Sequence, residues 1–331
     1  MTTHFFNTAA FPAQPYIFDF AREVSAFYRD HPDQKRKIYF IDAATMPGSV
    51  CRGDETDEDE VEVLLRSNAG VFESNKQAYE GSSRSDFYLH QGYGTICLNL
   101  TRNSQRNLLG YEAGTDVSDV FVFDHEIGHL LCKNGLAKTN LRECVADAYA
   151  TIRHIQRFGQ DSAAIRRLVD KRAVELVFGD GVEHFTAPVV EKILADSAKM
   201  DFSKLTPTET VALAERYAIE NPVDPDMTRR IAQDFKTLES GFPRLLKGDF
   251  TVIRLLDELV RNSNDPHFFK WGAVAVRALL EGDVNVNGER PPRPQGPEWT
   301  ELRARLDDRA SRFEPKPQKF IMVSDMGSLK L

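Results

Sequence analysis

Two histidines set four residues apart in an apolar run constrain this chain more than any other feature. His125 and His129 belong to the run VFVFDHEIGHLLCK, which Ser118 can cap at its start and which Asn134 and Gly135 can end. These signals predict a helix. Because an α-helix turns once in about 3.6 residues, both imidazoles project from one face, one turn apart. The rest of the chain therefore has to bring a partner for these two imidazoles to this face of the helix.

A second helical segment, NLRECVADAYA, starts at residue 140 and supplies candidate partners. Asn140 and Glu143 form a capping-box pattern that predicts the start of the helix, and Gly159 predicts its end. Glu143 and Asp147 are four residues apart and therefore share a face. The link between the two helices is short, and the alanines of the second one allow a close approach. The sequence therefore predicts a helical hairpin.

Together the two segments supply a set of metal ligands. Catalytic zinc needs three protein ligands and one open position, which two histidines and a carboxylate provide. We therefore predict that His125, His129 and Glu143 bind one Zn²⁺ per chain. Asp147 lies one turn beyond Glu143, where it can hold the second N–H of a ligand imidazole. Glu126, rotated by roughly 100° from His125, suits a base that takes a proton from zinc-bound water.

Some of these residues also have a structural interpretation. Glu143 can serve only as a helix cap, and Asp147 can pair with Arg142 or Arg153. Either residue alone favours that interpretation, whereas together with the two histidines they favour a metal site. His154 lies eleven residues beyond Glu143, roughly 16 Å along a helix, and is too far away to bind the same ion. We expect it to be a histidine with its hydrogen bonds satisfied, either at the surface or in the core.

The motif HEIGH followed by a helix bearing E-x-x-A-D resembles the gluzincin group of zinc metallopeptidases. It is similar in particular to bacterial metallopeptidase domains in which both segments lie close together. The resemblance covers about residues 117–159 and implies zinc ligation by two histidines and the downstream glutamate, a glutamate base and an aspartate that orients a ligand histidine. Carried over position by position, these residues are His125, His129, Glu143, Glu126 and Asp147. Thirteen residues separate His129 from Glu143, a shorter gap than many gluzincins have, so Asp147 stays open as the alternative ligand.

The rest of the chain predicts an α+β protein. Residues 18–30 have the apolar period of a helix, and residues 37–42 and 95–100 are rich in β-forming side chains. Residues 86–90 can form a hairpin with 95–100. The pattern after Gly159 is almost wholly helical, and Thr206, Pro207 and Glu209 predict the start of one of these helices. The expected parts are a zincin-like catalytic lobe with a small sheet and both motif helices over 1–159, a helical lobe over 160–282, a proline-rich linker over 283–297, and a terminal helix and tail over 298–331.

Charge and composition narrow the class of partner. The formal net charge of −8 argues against a nucleic-acid partner, because phosphate binding needs a basic surface. No run approaches the roughly 18 apolar residues of a membrane span. The first residues show no Sec-type signal, and the four cysteines are too few for a disulfide framework. We therefore expect a cytoplasmic protein, while export by a route without such a signal stays open, as does the oligomeric state.

The chemistry that these residues predict is hydrolysis of an amide bond in a peptide or protein substrate, by a zinc metallopeptidase that uses Glu126 as general base. A substrate strand can pair with an edge strand, for which residues 95–100 are the candidate. A donor for the oxyanion is also needed, and the candidates by residue type are His184, Tyr149, Tyr111 and Tyr93. Two alternatives are a zinc-stabilised binding or scaffold protein and a zinc hydrolase that acts on something other than peptides.

Overall fold

The computed structural model describes residues 18–34, 38–42, 69–73, 94–98, 117–131, 139–160, 162–178, 182–221, 223–282, 284 and 290–310. Helices dominate these ranges. In chain order they are α1 (Phe20–Asp30), α2 (Val117–Leu131), α3 (Thr139–Phe158), α4 (Ala163–Phe178), α5 (Ala187–Ser197), α6 (Pro207–Glu220), α7 (Pro225–Phe235), α8 (Phe242–Leu246), α9 (Thr251–Asn262), α10 (Pro266–Glu281) and α11 (Pro297–Ala310).

Several helices begin where short polar side chains can satisfy their free N–H groups. Thr206 and Glu209 form a reciprocal capping box at the start of α6, with Pro207 in its first turn. Asp19 caps α1, and Asp265 accepts the backbone N–H groups at the start of α10. Such caps each contribute about 1 kcal/mol. They explain why the helices that follow Gly159 could be located from the sequence.

Three strands of five residues each form a small mixed sheet. Strand β1 (Ile38–Asp42) runs parallel to β3 (Gly94–Leu98), and β2 (Ala69–Glu73) runs antiparallel to β3, giving the order β1-β3-β2. The expectation that residues 95–100 form a sheet edge is wrong, because β3 is hydrogen-bonded on both sides. The suggested hairpin partner, residues 86–90, lies outside the described residues.

The α+β class expected from the sequence is also wrong. The described part of the chain is mainly helical, and the strands account for only a few short segments of it. Helices make up most of the described ranges, and the buried faces of these helices form one core. A sheet of three short strands has too little area to form a layer of such a core, so helix-on-helix packing sets the architecture. The division of the chain into four parts stays a prediction.

Helix α3 is the element around which the candidate site is built. It packs against α2 on one side and against α5 and α6 on others, and α2 also lies beside β2 and β3. Its inner residues are completely buried, among them Val145, Ala148 and Ile152. At its far end Arg157 binds Glu23 of α1 at 2.7 Å and Asp124 of α2 at 3.3 Å. This ion-pair group fixes α2 on α3 next to the histidine pair.

None of the described helices is both long enough and apolar enough to pass through a membrane.

Candidate metal centre

Helix α2 places the two histidines on the face that is turned toward α3. Phe121, Phe123 and Ile127 occupy its other positions and are about 1% exposed, so the helix cannot rotate without exposing large apolar side chains. His125 and His129 are therefore directed to one spot, where their Nε2 atoms lie 3.1 Å apart. Their side chains are 13% and 11% exposed, so solvent reaches a small part of each.

The two motif helices touch at a glycine. A Cβ atom built on Gly128 would lie 2.8 Å from the Cα of Ala146 and 3.2 Å from the Cβ of Tyr149. Real Cβ atoms do not come so close to backbone atoms, so only glycine permits this separation of the helices. The contact confirms the predicted hairpin packing and brings the first turns of α3 up to the histidine pair.

Glu143 is the carboxylate that reaches both histidines. Its Oε2 lies 3.5 Å from Nε2 of His125, and its Oε1 lies 3.5 Å from Nε2 of His129. The side chain is 12% exposed, and Oε2 is buried without a hydrogen-bond partner among the described residues. The sequence also allowed Glu143 to cap α3. That role does not apply, because α3 begins at Thr139 and the carboxylate is turned inward.

The dimensions of this triad fit a zinc ion. Tetrahedral coordination with ligand bonds of about 2.0–2.1 Å sets ligand atoms roughly 3.3–3.4 Å apart. Here the two nitrogens lie 3.1 Å apart, and each lies 3.5 Å from one oxygen of Glu143, His125 from Oε2 and His129 from Oε1. Contacts of 3.5 Å are longer than ordinary hydrogen bonds of about 2.7–3.2 Å, so hydrogen bonding does not account for them. Among the described residues, only this group of three brings ligand atoms together closely enough to hold a metal ion.

Asp147 lies on the opposite side of the His125 ring from Glu143. Its Oδ1 accepts a hydrogen bond from Nδ1 of His125 at 2.7 Å. A ring nitrogen that donates to a carboxylate leaves the other nitrogen with a free lone pair for a metal. The geometry thus places Glu143, and not Asp147, beside the two Nε2 atoms. It also gives Asp147 the orienting position that the sequence suggested.

The partners of Asp147 are not those suggested by the sequence. We considered Arg142 and Arg153, whereas Oδ2 accepts hydrogen bonds from Arg172 of α4, at 3.2 and 3.0 Å, and from the hydroxyl of Thr186. These partners come from 25 and 39 residues further along the chain. Neither belongs to a motif, and no periodic pattern connects them to α3, so only the fold reveals them.

Burial and neighbouring charges both shift the pKa values of His125, His129 and Glu143. Burial disfavours a charged imidazole, yet the Asp147 carboxylate raises the pKa of His125 well above its usual value. Burial and the charge of His125 lower the pKa of His129 to about 4. Burial opposes ionisation of Glu143, but the adjacent His125 holds the pKa of that carboxyl below its usual range. In the metal-free site His129 is therefore neutral and Glu143 ionised, the forms that bind metal, whereas His125 carries a proton on Nε2 that a metal has to displace.

Glu126 follows His125 on α2 and is 7% exposed. Burial raises the pKa of Glu126 to about 7, with His125 opposing the rise and Glu143 adding to it. Glu126 is not part of the group of three potential ligands. A carboxyl that is next to a metal site, without belonging to it, and that exchanges a proton near neutral pH is suited to general base chemistry.

His184 is the candidate oxyanion donor that the structure brings to the site. Its Nε2 lies 3.7 Å from Oε2 of Glu143, and its side chain is 49% exposed. The loop that carries it is held by Asn140, whose amide donates to the carbonyls of Glu183 and Phe185 at 2.9 and 3.4 Å. Asn140 therefore lies inside α3 and binds a loop, so the capping-box prediction for this residue is wrong.

The remaining candidates do not join the described site. Tyr149 is 3% exposed and packs in the core beneath the helices. His154 is 1% exposed and shares a 2.6 Å hydrogen bond with Ser162, which makes it a core histidine. Tyr93 and Tyr111 lie outside the described residues, as do both predicted end signals of α2, Asn134 and Gly135.

The chain matches no known family model, and no curated protein and no solved structure shows significant similarity to it. The resemblance to gluzincins therefore depends on the motif residues themselves and on their arrangement in space.

Proposed function

We propose that this protein is a zinc-dependent metallopeptidase. The observation that carries the proposal is the triangle of groups formed by Nε2 of His125, Nε2 of His129 and the carboxylate of Glu143: the two nitrogens lie 3.1 Å apart, and each lies 3.5 Å from a different oxygen of Glu143. Two nitrogens and one carboxylate with solvent access are the ligand set of catalytic zinc, whereas structural zinc sites are closed by a fourth protein ligand. When bound, zinc supplies a Lewis acid that polarises a substrate carbonyl and lowers the pKa of water.

Each residue near the triangle then has a defined task. Asp147 holds the proton on Nδ1 of His125, which keeps Nε2 available to the metal. Glu126 accepts a proton from the attacking water and transfers it to the leaving nitrogen of the scissile amide. His184, at the exposed rim of the site, donates a hydrogen bond from Nε2 to the carbonyl oxygen that becomes negatively charged.

The substrate that suits this arrangement is a peptide or protein. Amide hydrolysis requires protonation of a poor leaving group, and Glu126 is a buried carboxyl that can carry that proton. A scaffold that used zinc only for stability would need no acid or base beside it, so the intact Glu126 favours an enzyme.

The decisive experiment compares the wild type with Glu126→Gln at matched zinc occupancy. Zinc content is determined by elemental analysis, and a broad peptide library is digested and read out by mass spectrometry. We expect about one zinc per chain in both forms and a fall in cleavage rate of at least about 10²-fold in the variant, the lower end of a positioned base's contribution. Glu258→Gln, an exposed position on α9, is the matched control.

Three results would contradict the proposal in different ways. Equal cleavage by wild type and Glu126→Gln would show that Glu126 is not the general base. Stoichiometric zinc without cleavage by either form would favour a zinc-stabilised binding protein. Hydrolysis of esters or non-peptide amides, with no cleavage in the library, would move the protein to another class of zinc hydrolase.

A further inference from the structure

The two carboxylate oxygens of Asp147 bind different partners. Oδ1 accepts one hydrogen bond, from Nδ1 of His125 at 2.7 Å. Oδ2 accepts the Nε and Nη2 groups of Arg172 at 3.2 and 3.0 Å, and the hydroxyl of Thr186. The carboxylate is completely buried. Because three donors hold Oδ2, rotation of the carboxylate away from His125 would break several hydrogen bonds at once.

The arginine belongs to a buried group whose charges cancel. Its Nη1 lies 3.3 Å from Oε2 of Glu175, and Glu175 in turn binds Lys171. Asp147, Arg172, Glu175 and Lys171 thus contribute two negative and two positive charges, and all four residues are 9% exposed or less. Breaking one buried ion pair leaves an uncompensated charge, which is strongly destabilising. The group therefore fixes Arg172 as well as Asp147.

Thr186 connects the metal site to the rim. Its hydroxyl binds Asp147, and it directly precedes α5 at the end of the segment that carries His184. Asn140 of α3 binds the same segment through the carbonyls of Glu183 and Phe185. Two side chains of α3 therefore hold both sides of His184, and one of them is the residue that orients a histidine of the triangle.

We propose that Thr186 and Arg172 are positioning residues for the metal site: they keep Asp147 directed at His125, and Thr186 couples that alignment to the placement of His184. The inference rests on the proposed function. It extends the functional unit beyond the two motif helices to α4 and to residues 182–186. Among the described residues, their side-chain hydrogen bonds and ion pairs go to Asp147 and Glu175 and not to the ligand atoms, so their effect on His125 passes through Asp147.

Thr186 is the better residue to test, because loss of Arg172 would leave a buried carboxylate unpaired and could prevent folding. Thr186→Val keeps the volume and removes the hydroxyl, and Thr186→Ser keeps the hydroxyl. Thr228→Val is the matched control, since Thr228 is similarly buried and its hydroxyl donates to the carbonyl of Asp224, the residue that caps the start of α7. Zinc affinity of the demetallated proteins is measured by chelator competition, with thermal melting alongside.

We expect Thr186→Val to lose about tenfold in zinc affinity, the lower end of the range for residues that support a ligand histidine. Thr186→Ser and Thr228→Val should bind zinc like the wild type. The second readout is the Nδ1–H proton of His125 in ¹⁵N-labelled, zinc-free protein. Its exchange with water should be faster in Thr186→Val and unchanged in both other variants.

These readouts separate failure of the inference from failure of the proposed function. Wild-type affinity together with wild-type exchange in Thr186→Val would overturn the inference, and so would an equal loss in Thr228→Val. A wild type that binds no zinc would overturn the proposed function. In that case the exchange measurement alone decides whether Thr186 positions Asp147 and His125.

Discussion

Gly128 of α2 faces Ala146 of α3 so closely that a Cβ atom on Gly128 would lie 2.8 Å from the Cα of Ala146. The glycine stands between the base and the second histidine, inside the segment that provides the chemistry. The position of Glu143 relative to the histidines therefore depends on a backbone contact as well as on the ligands themselves. A side chain here would separate the histidines from their carboxylate partner.

We predict that Gly128→Ala destabilises the protein and impairs zinc retention. The added methyl group meets backbone atoms that cannot move aside, so α2 and α3 have to separate, and such overpacking costs about 1–3 kcal/mol. Urea denaturation gives the change in free energy of unfolding, and elemental analysis gives the zinc content.

Gly159→Ala is the contrasting control, at the end of the same helix α3. Gly159 has a φ of 85°, and a Cβ atom at this position would have no other atom of the described residues within 4 Å. Alanine there meets only the backbone strain of roughly 1 kcal/mol. That variant should be somewhat less stable and keep its zinc. Full zinc retention by Gly128→Ala would show that the helix contact does not set the geometry of the site.

Local sequence signals predicted both motif helices and the proximity of His125, His129 and Glu143, whose role as metal ligands stays a prediction. Helical spacing placed His125 and His129 on one face, and the short connection to α3 placed Glu143 within reach of them. Caps such as Thr206 with Glu209 located a later helix in the same way. These features depend on residues that are close in sequence, where spacing and geometry are directly linked.

Long-range partners could not be predicted in this way. Thr186 and Arg172 reach Asp147 only because α5 packs on both α3 and α4, and nothing in their spacing indicates this. Asn140 has the residue type of a cap and binds a distant loop. The α+β prediction was wrong for a related reason. Runs of β-forming residues show that strands are possible, whereas the choice between a sheet layer and a helical core depends on the whole chain.

Glu143 and Asp147 should respond differently to isosteric substitution. Glu143→Gln removes a proposed ligand, so zinc binding should be lost almost completely while the zinc-free protein stays folded. Asp147→Asn should weaken zinc binding by about 10–100-fold and also lower the stability of the zinc-free protein, because Arg172 loses a buried partner. Chelator competition and thermal melting without zinc measure the two effects. Greater loss of zinc in Asp147→Asn than in Glu143→Gln would mean that the roles of the two residues are exchanged.

His184→Ala tests the donor at the rim. Because its imidazole is 49% exposed and lies outside the ligand triangle, zinc content and melting temperature should remain near wild type. Loss of one oxyanion donor costs about 10²–10³-fold in kcat, and we expect a fall of that order in peptide cleavage with little change in KM. His267→Ala, an exposed histidine at the start of α10, is the control. A loss of zinc in His184→Ala would instead make His184 a fourth ligand.

The last prediction concerns His154, which lies away from the metal site. Burial lowers the pKa of His154 to about 3, with the nearby Arg157 adding to the shift. An unfolded chain binds this proton with a pKa of about 6.5. Between these values the unfolded state holds more protons than the folded state, so the histidine favours unfolding as the pH falls. Its contribution to stability is complete above about pH 6.5 and declines by up to about 1.4 kcal/mol per pH unit below it.

His154→Gln removes the titrating group and keeps a side chain that can bind the Ser162 hydroxyl. We expect the free energy of unfolding of zinc-free wild type, measured in urea, to fall more steeply between pH 6.5 and pH 5 than that of the variant. The difference between the two slopes is the contribution of His154, because the histidines of the site titrate in both proteins. His267→Gln, at an exposed histidine, is the control for the substitution itself. Parallel curves for wild type and His154→Gln would mean that His154 becomes protonated without unfolding, and that its 2.6 Å contact with Ser162 can support the charged ring.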